Sequence, residues 1–122
     1  MKVTSYYPIF YAENLESAIK RYEEDFGFEV MHHPEVGAID LYVLGVGDGT
    51  RINLVHVDFP EINFEDGAFM GMRVNVDDFD EGVAYFEGQG YEIFRPVRET
   101  ESFKVVVMKS ERDTLILFYH KK

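Results

Sequence analysis

Residues 14–30, with the sequence NLESAIKRYEEDFGFEV, decide the fold because residues 78–93, DFDEGVAYFEGQGYEI, repeat their pattern about 64 residues later. In each copy an Asn or Asp can cap a helix, apolar residues recur on one helix face, and a glycine follows before a new strand. The two apolar stripes are Leu15, Ala18, Ile19, Tyr22 and Phe26 in the first copy and Phe79, Val83 and Phe86 in the second. We therefore predict helices over residues 14–26 and 78–88.

The segments around these helices are rich in β-branched and aromatic residues, which predicts strands. They cover residues 4–12, 29–33, 38–44, 50–57, 69–76, 91–95, 103–109 and 114–119. The order is βαβββ, twice, which predicts an α+β fold of two tandem modules, each an antiparallel-dominated sheet curled over a cavity with its helix outside. We expect one domain over residues 1–122, with module one at 1–57, a linker at 58–67 and module two at 68–122.

The composition excludes several classes of protein. With 122 residues, 46% of them hydrophobic, the chain is long enough to bury one core without staples. Cysteine is absent, which excludes disulfides and thiolate sites. A net charge of −11 disfavours nucleic acid as a partner. The apolar runs are too short to span a bilayer and the first residues lack a signal-peptide pattern, so we predict no membrane partner and a cytoplasmic location.

The two strand-cap-helix-glycine modules resemble the vicinal oxygen chelate superfamily, which includes glyoxalase I, extradiol dioxygenases and bleomycin-resistance proteins. The resemblance implies a cavity lined by the strands, and in metal-using members His or Glu ligands on the first and fourth strand of each module. Here the matching positions are Tyr7, Asn53, Gly71 and Leu117. This set lacks imidazole and carboxylate donors, so we predict that the protein uses no metal and no other cofactor.

The histidines give no alternative metal site. His32 and His33 are adjacent on a predicted strand and point to opposite faces, so they cannot chelate one ion together. His56 lies on an apolar face, where a lone histidine is more often a hydrogen-bonded core residue than a ligand. His120 is expected to lie in a frayed tail.

Strand alternation assigns the side chains that face the predicted cavity. They are Tyr7, Arg51, Asn53, Arg73, Asn75, Leu117 and Tyr119. Because two guanidinium groups on one face repel each other, they need a carboxylate such as Asp40 between them or the anionic end of a ligand. The other possibility is that one or both arginines lie at a subunit interface or reach solvent.

Three functions are compatible with these residues. The first is a metal-free protein that binds a small organic molecule, similar to bleomycin-resistance proteins. The second is a metal-independent lyase or isomerase with Tyr7 or Tyr119 as acid or base, and the third is an interaction module with a vestigial cavity. We predict a homodimer in each case, because open sheet edges would expose apolar residues and family members often complete their cavities from two chains.

Overall fold

The computed structural model describes residues 2–36 and 39–122. Its elements in chain order are β1 (Val3–Tyr11), α1 (Leu15–Phe26), β2 (Glu29–His32), β3 (Glu35–Val36), β4 (Ile39–Val46), β5 (Thr50–His56), β6 (Phe69–Val76), α2 (Phe79–Gly88), β7 (Glu92–Glu99), β8 (Phe103–Lys109) and β9 (Leu115–Lys121). The α+β class and both βαβββ modules are confirmed, with the short β3 as an addition. Ala38, where we placed the start of a strand, lies outside the described residues.

The chain forms two compact units. The N-terminal unit is Pro8–Met70, and the C-terminal unit is Gly71–Lys122 together with the residues up to Tyr7. The predicted arrangement as one domain, with modules at 1–57 and 68–122 and a linker between them, stays a prediction. None of the described helices is long and apolar enough to cross a membrane.

The described strands of the N-terminal unit follow the order β2-β4-β5-β1, with β3 beside β4. β1 runs parallel to β5, whereas β4 is antiparallel to β5 and β2. Four residues of the predicted α1 stripe pack against the buried Leu44, Ile52 and Leu54; they are Leu15, Ala18, Ile19 and Tyr22. The stripe prediction is wrong for Phe26, which is 63% exposed in the last turn of α1.

The C-terminal unit repeats this plan with strands in the order β6-β9-β8-β7, and β6 is parallel to β9. Its core contains Phe79 from α2 and strand residues that include Val106, Met108 and Phe118, all of them at most 6% exposed. Val83 and Phe86 of α2 pack on this core, which confirms the second predicted stripe. The layer of α2 on the sheet leaves the opposite sheet face for the site described below.

The repeat holds at the level of single hydrogen bonds and strand register. The N-caps form as predicted, since Asn14 Oδ1 accepts from the Ser17 N–H at 2.9 Å and Asp78 Oδ1 accepts from the Glu81 N–H at 3.0 Å. In register, Ile9 pairs with Asn53 and Arg73 pairs with Leu117, so Ile9 corresponds to Arg73 and Asn53 to Leu117.

A histidine closes each repeat at the same point. His56 Nδ1 lies 2.9 Å from the Ala12 carbonyl oxygen, and His120 Nδ1 lies 3.2 Å from the Val76 carbonyl oxygen. The expectation that His120 lies in a frayed tail is therefore wrong. It belongs to β9 and ties the end of that strand to the end of β6, because the imidazole N–H reaches a carbonyl group there.

Candidate functional site

The C-terminal unit places Arg73 between two aromatic rings. The Arg73 Cζ atom lies 4.6 Å from the ring centroid of Tyr119 and 5.8 Å from that of Tyr7. Phe103 stacks on Tyr119 with ring centroids 5.4 Å apart, which extends the stack. A guanidinium over an aromatic face is attracted by the ring quadrupole, so these rings hold Arg73 in one orientation.

The Arg73 side chain is buried without a charged partner among the described residues. It is 6% exposed, and its Nε atom has no hydrogen-bond partner. Burial lowers the pKa of Arg73, and the groups that raise it in return are the phenols of Tyr119 and Tyr7 rather than a carboxylate. Removing a cation from water without a counterion costs several kcal/mol. Arg73 is therefore a buried cation whose charge is not balanced by a described carboxylate.

The other predicted side chains of this unit surround Arg73. Strand register pairs Arg73 with Leu117 and Asn75 with Tyr119, which puts these four residues on one face of β6 and β9. Asn75 Oδ1 is buried and has no hydrogen-bond partner. Five of the seven predicted ligand-binding residues, counting Tyr7, thus lie together in the C-terminal unit. Their role in binding stays a prediction.

Asn53 is the corresponding polar residue of the N-terminal unit. Its side chain is 0% exposed, and neither Oδ1 nor Nδ2 has a hydrogen-bond partner. Its register partners are Ile9 on β1 and Val43 on β4, which are both buried and apolar. An unpaired amide in such surroundings calls for a water molecule or a ligand group that both donates and accepts a hydrogen bond.

Arg51 is engaged within its own hairpin. Its Nη1 donates to the Thr50 carbonyl oxygen at 2.8 Å and to the Gly47 carbonyl oxygen at 3.2 Å. The side chain also lies against Gly45, where an added Cβ would meet its Nη1, Cδ and Cζ atoms. Asp40, which we considered as a counterion for the arginines, instead bonds His33 at 2.9 Å. These contacts give Arg51 a structural part in the turn between β4 and β5.

Two of the four positions at which the superfamily resemblance implies metal ligands, Gly71 and Leu117, carry no ligating side chain. Gly71 has φ of +150°, and an added Cβ would collide with the Leu115 carbonyl oxygen, so a ligating side chain does not fit. Leu117 is buried and apolar. Within residues 2–36 and 39–122 no three His, Cys, Asp or Glu side chains are grouped so that they could hold a metal ion.

A cavity of the N-terminal unit was not predicted from the sequence. It has a volume of about 340 Å³ and lies between α1, the end of β1 and residues 66–67. Aromatic and acidic side chains line it, among them Phe10, Tyr11, Glu13 and Asp66. The clustered aromatic residues and carboxylates near the first cap were visible in the sequence, but only the packing of α1 brings them around one space.

Several solved structures have a fold similar to that of this chain at low sequence identity. Methylmalonyl-CoA epimerase from Mycobacterium tuberculosis matches with a TM-score of 0.72 and 18% identity, over 98% of this chain and 89% of that chain. A methylmalonyl-CoA epimerase in complex with methylmalonyl-CoA and NH4+ matches with a TM-score of 0.70 and 14% identity, over 94% of this chain and 92% of that chain.

A glyoxalase/bleomycin resistance protein/dioxygenase superfamily member from Vibrio splendidus 12B01 matches with a TM-score of 0.62 and 15% identity, over 98% of this chain and 100% of that chain. The chain therefore has the vicinal oxygen chelate fold, as its repeated modules predicted. No protein-family model and no curated protein matches the sequence. At these identities the likeness concerns the fold, and the function has to be argued from the chain's own residues.

Proposed function

We propose that this protein binds a small organic anion, without a metal ion, on the face of the C-terminal unit that carries Arg73. The observation that carries the proposal is the buried guanidinium with an unpaired Nε atom and no described carboxylate beside it. A ligand carboxylate would supply the missing charge and accept from Nε–H and a terminal N–H together, which is the geometry that arginine recognises best.

The neighbours of Arg73 define the remainder of the ligand. Tyr7, Leu117 and Tyr119 offer aromatic and aliphatic surface for an apolar body, and Asn75 Oδ1 is free to accept from an N–H or O–H group. Arg51 has no part in this proposal because its guanidinium bonds hairpin carbonyls.

The ligand class agrees with one structurally similar protein, a methylmalonyl-CoA epimerase seen in complex with methylmalonyl-CoA. That compound carries a free carboxylate, which makes it a reasonable first probe for this chain. The residues at the ligand positions of metal-using relatives, Gly71 and Leu117 among them, support binding without a divalent ion. Binding should therefore persist in the presence of EDTA.

Thermal shift and calorimetric titration test the proposal. The probes are methylmalonyl-CoA, methylmalonate and phenylacetate, with neutral phenylacetamide as the matched control. We expect carboxylates to stabilise the wild type and Arg73→Met to weaken their binding by about 1.5–3 kcal/mol, or roughly tenfold to a hundredfold. Arg98→Met, which removes an exposed arginine of β7, is the charge control and should change nothing. Equal binding of phenylacetamide, or unchanged binding in Arg73→Met, would contradict the proposal.

A metal-independent lyase or isomerase is the alternative, favoured by the Tyr119 phenol beside the Arg73 guanidinium. A tyrosine in that position could move a proton next to a bound carboxylate. Incubation of each binding probe in D2O separates the two functions. Deuterium at the carbon next to the carboxylate, lost in Tyr119→Phe, would identify an enzyme, whereas binding without exchange identifies a binding protein.

A cytoplasmic homodimer without nucleic-acid or membrane partners completes the proposal. Association is supported by exposed apolar side chains on β2 and β7, namely Val30, Met31, Ile93 and Val97, each between 42% and 47% exposed. Burying them against a second copy would remove apolar surface from water. Sedimentation should give twice the mass of the 14.2 kDa chain, and a monomer at tens of micromolar protein would contradict the dimer.

A further inference from the structure

We propose that the N-terminal unit has a second, separate binding site, for a small organic cation with an aromatic body. The site is the cavity between α1, the end of β1 and residues 66–67, with a volume of about 340 Å³. Cavities that bind small molecules begin near this size, roughly 300 Å³. The proposal uses no residue of the Arg73 site and does not depend on it.

Four aromatic residues line the cavity: Phe10, Tyr11, Tyr22 and Phe26. Tyr11 is fixed there, because Phe64 stacks on it at 5.7 Å and His56 lies 5.6 Å from its ring centroid. Phe26 is 63% exposed in the last turn of α1. Aromatic faces attract ammonium groups through their quadrupoles, so this wall favours a cation with a flat apolar body.

Two carboxylates and one guanidinium line the same cavity, those of Glu13, Asp66 and Arg21. Asp66 is held in place because its Oδ1 accepts from the Glu13 backbone N–H at 3.0 Å. The carboxylates also affect Tyr11. Burial is the main cause of the raised pKa of Tyr11, and the negative charges of Asp58, Glu13 and Asp66 raise this pKa further. The net charge of the side chains that line the cavity is therefore negative.

The whole N-terminal unit strengthens this preference. More than half of the 23 acidic residues lie between residues 8 and 70, whereas the basic residues of that segment are Lys20, Arg21 and Arg51. A unit with a large net negative charge raises the local concentration of cations near its surface and repels anions. An organic amine is therefore favoured over a neutral or acidic molecule of the same shape.

Three indoles of nearly equal shape test the site: cationic tryptamine, neutral tryptophol and anionic indole-3-propionate. The protein contains no tryptophan, so indole emission reports the probe alone. We expect saturable binding of tryptamine below millimolar concentration, and binding of the other two about tenfold weaker or undetectable. The double variant Glu13→Gln with Asp66→Asn should weaken tryptamine binding about tenfold, and it retains an oxygen to accept from the Glu13 N–H.

Matched variants separate this site from general charge effects. Glu24→Gln removes an exposed α1 carboxylate that does not line the cavity and should leave tryptamine binding unchanged, as should Arg73→Met. Phe26→Ala should weaken binding, and circular dichroism of each variant should match the wild type. Equal affinity for tryptophol, full affinity in the double variant, or no saturation by tryptamine at millimolar concentration would each overturn the proposal.

Discussion

Replacing Asn53 with leucine should stabilise the ligand-free protein. Each unpaired polar atom in a buried site costs about 1–3 kcal/mol, and Asn53 has two such atoms. Leucine has the same number of side-chain heavy atoms as asparagine but is bulkier. Overpacking should therefore destabilise the variant by about 1–3 kcal/mol, which offsets part of the stabilisation. The net expectation is a stabilisation of about 1–3 kcal/mol. Leucine is also the residue at the equivalent position 117 of the second repeat.

Urea denaturation followed by far-UV circular dichroism measures this change in the free energy of unfolding directly. In thermal denaturation, Tm should rise by roughly 4 °C for each kcal/mol of stabilisation. The reciprocal variant Leu117→Asn is the control. It places an amide in a position that is 3% exposed and should destabilise the C-terminal unit by about 1–3 kcal/mol or more.

A loss of stability in Asn53→Leu would refute this reasoning. It would mean that the amide is fully hydrogen-bonded in solution, for example through an ordered water molecule, and that Asn53 has a structural role. A more stable Asn53→Leu would mean that the wild-type amide is kept at a cost in stability.

Three further predictions concern the fold. Gly71→Ala should destabilise the protein by about 2 kcal/mol or more in urea titration. The φ of +150° at position 71 is strained for alanine, and the added Cβ would collide with the Leu115 carbonyl oxygen. An unchanged urea midpoint would contradict this prediction. Asp78→Ala should cost about 0.5–2 kcal/mol through loss of the α2 cap. The hydrogen bond from Lys122 lowers the pKa of Glu99. The stabilisation from this pair is therefore present above the usual carboxyl pKa of about 4.3, and it is lost as pH falls through the lowered pKa of Glu99. Lys122→Met should reduce the fall of Tm in acid.

The sequence predicted the helices and the order of helices and strands along the chain because the signals for them are local. A cap, a stripe with helical spacing and a following glycine lie within one segment, and the same three signals recur in the second copy. The grouping of Arg73, Asn75, Leu117 and Tyr119 was also predictable, since alternation along a strand fixes the face of each side chain.

Other features depended on contacts that the pattern does not encode. Alternation placed Arg51 on the cavity side, but its long side chain bends to the carbonyls of Gly47 and Thr50. Phe26 continues a helical stripe past the edge of the core and stays exposed. β7 extends to Glu99 through two irregularities in its register, which a sequence window interrupted by Pro96 does not indicate.

The central claim is that the Arg73 guanidinium receives an organic carboxylate, and its side-chain NMR signal tests this most directly. The ¹H–¹⁵N resonance of Arg73 Nε, assigned by its loss in Arg73→Lys, should move downfield and exchange more slowly as methylmalonate or phenylacetate is added, because an unpaired N–H gains an acceptor. The shift should saturate, while the Arg98 signal stays constant. An Arg73 signal that does not move under concentrations at which the carboxylate stabilises the protein would contradict the account.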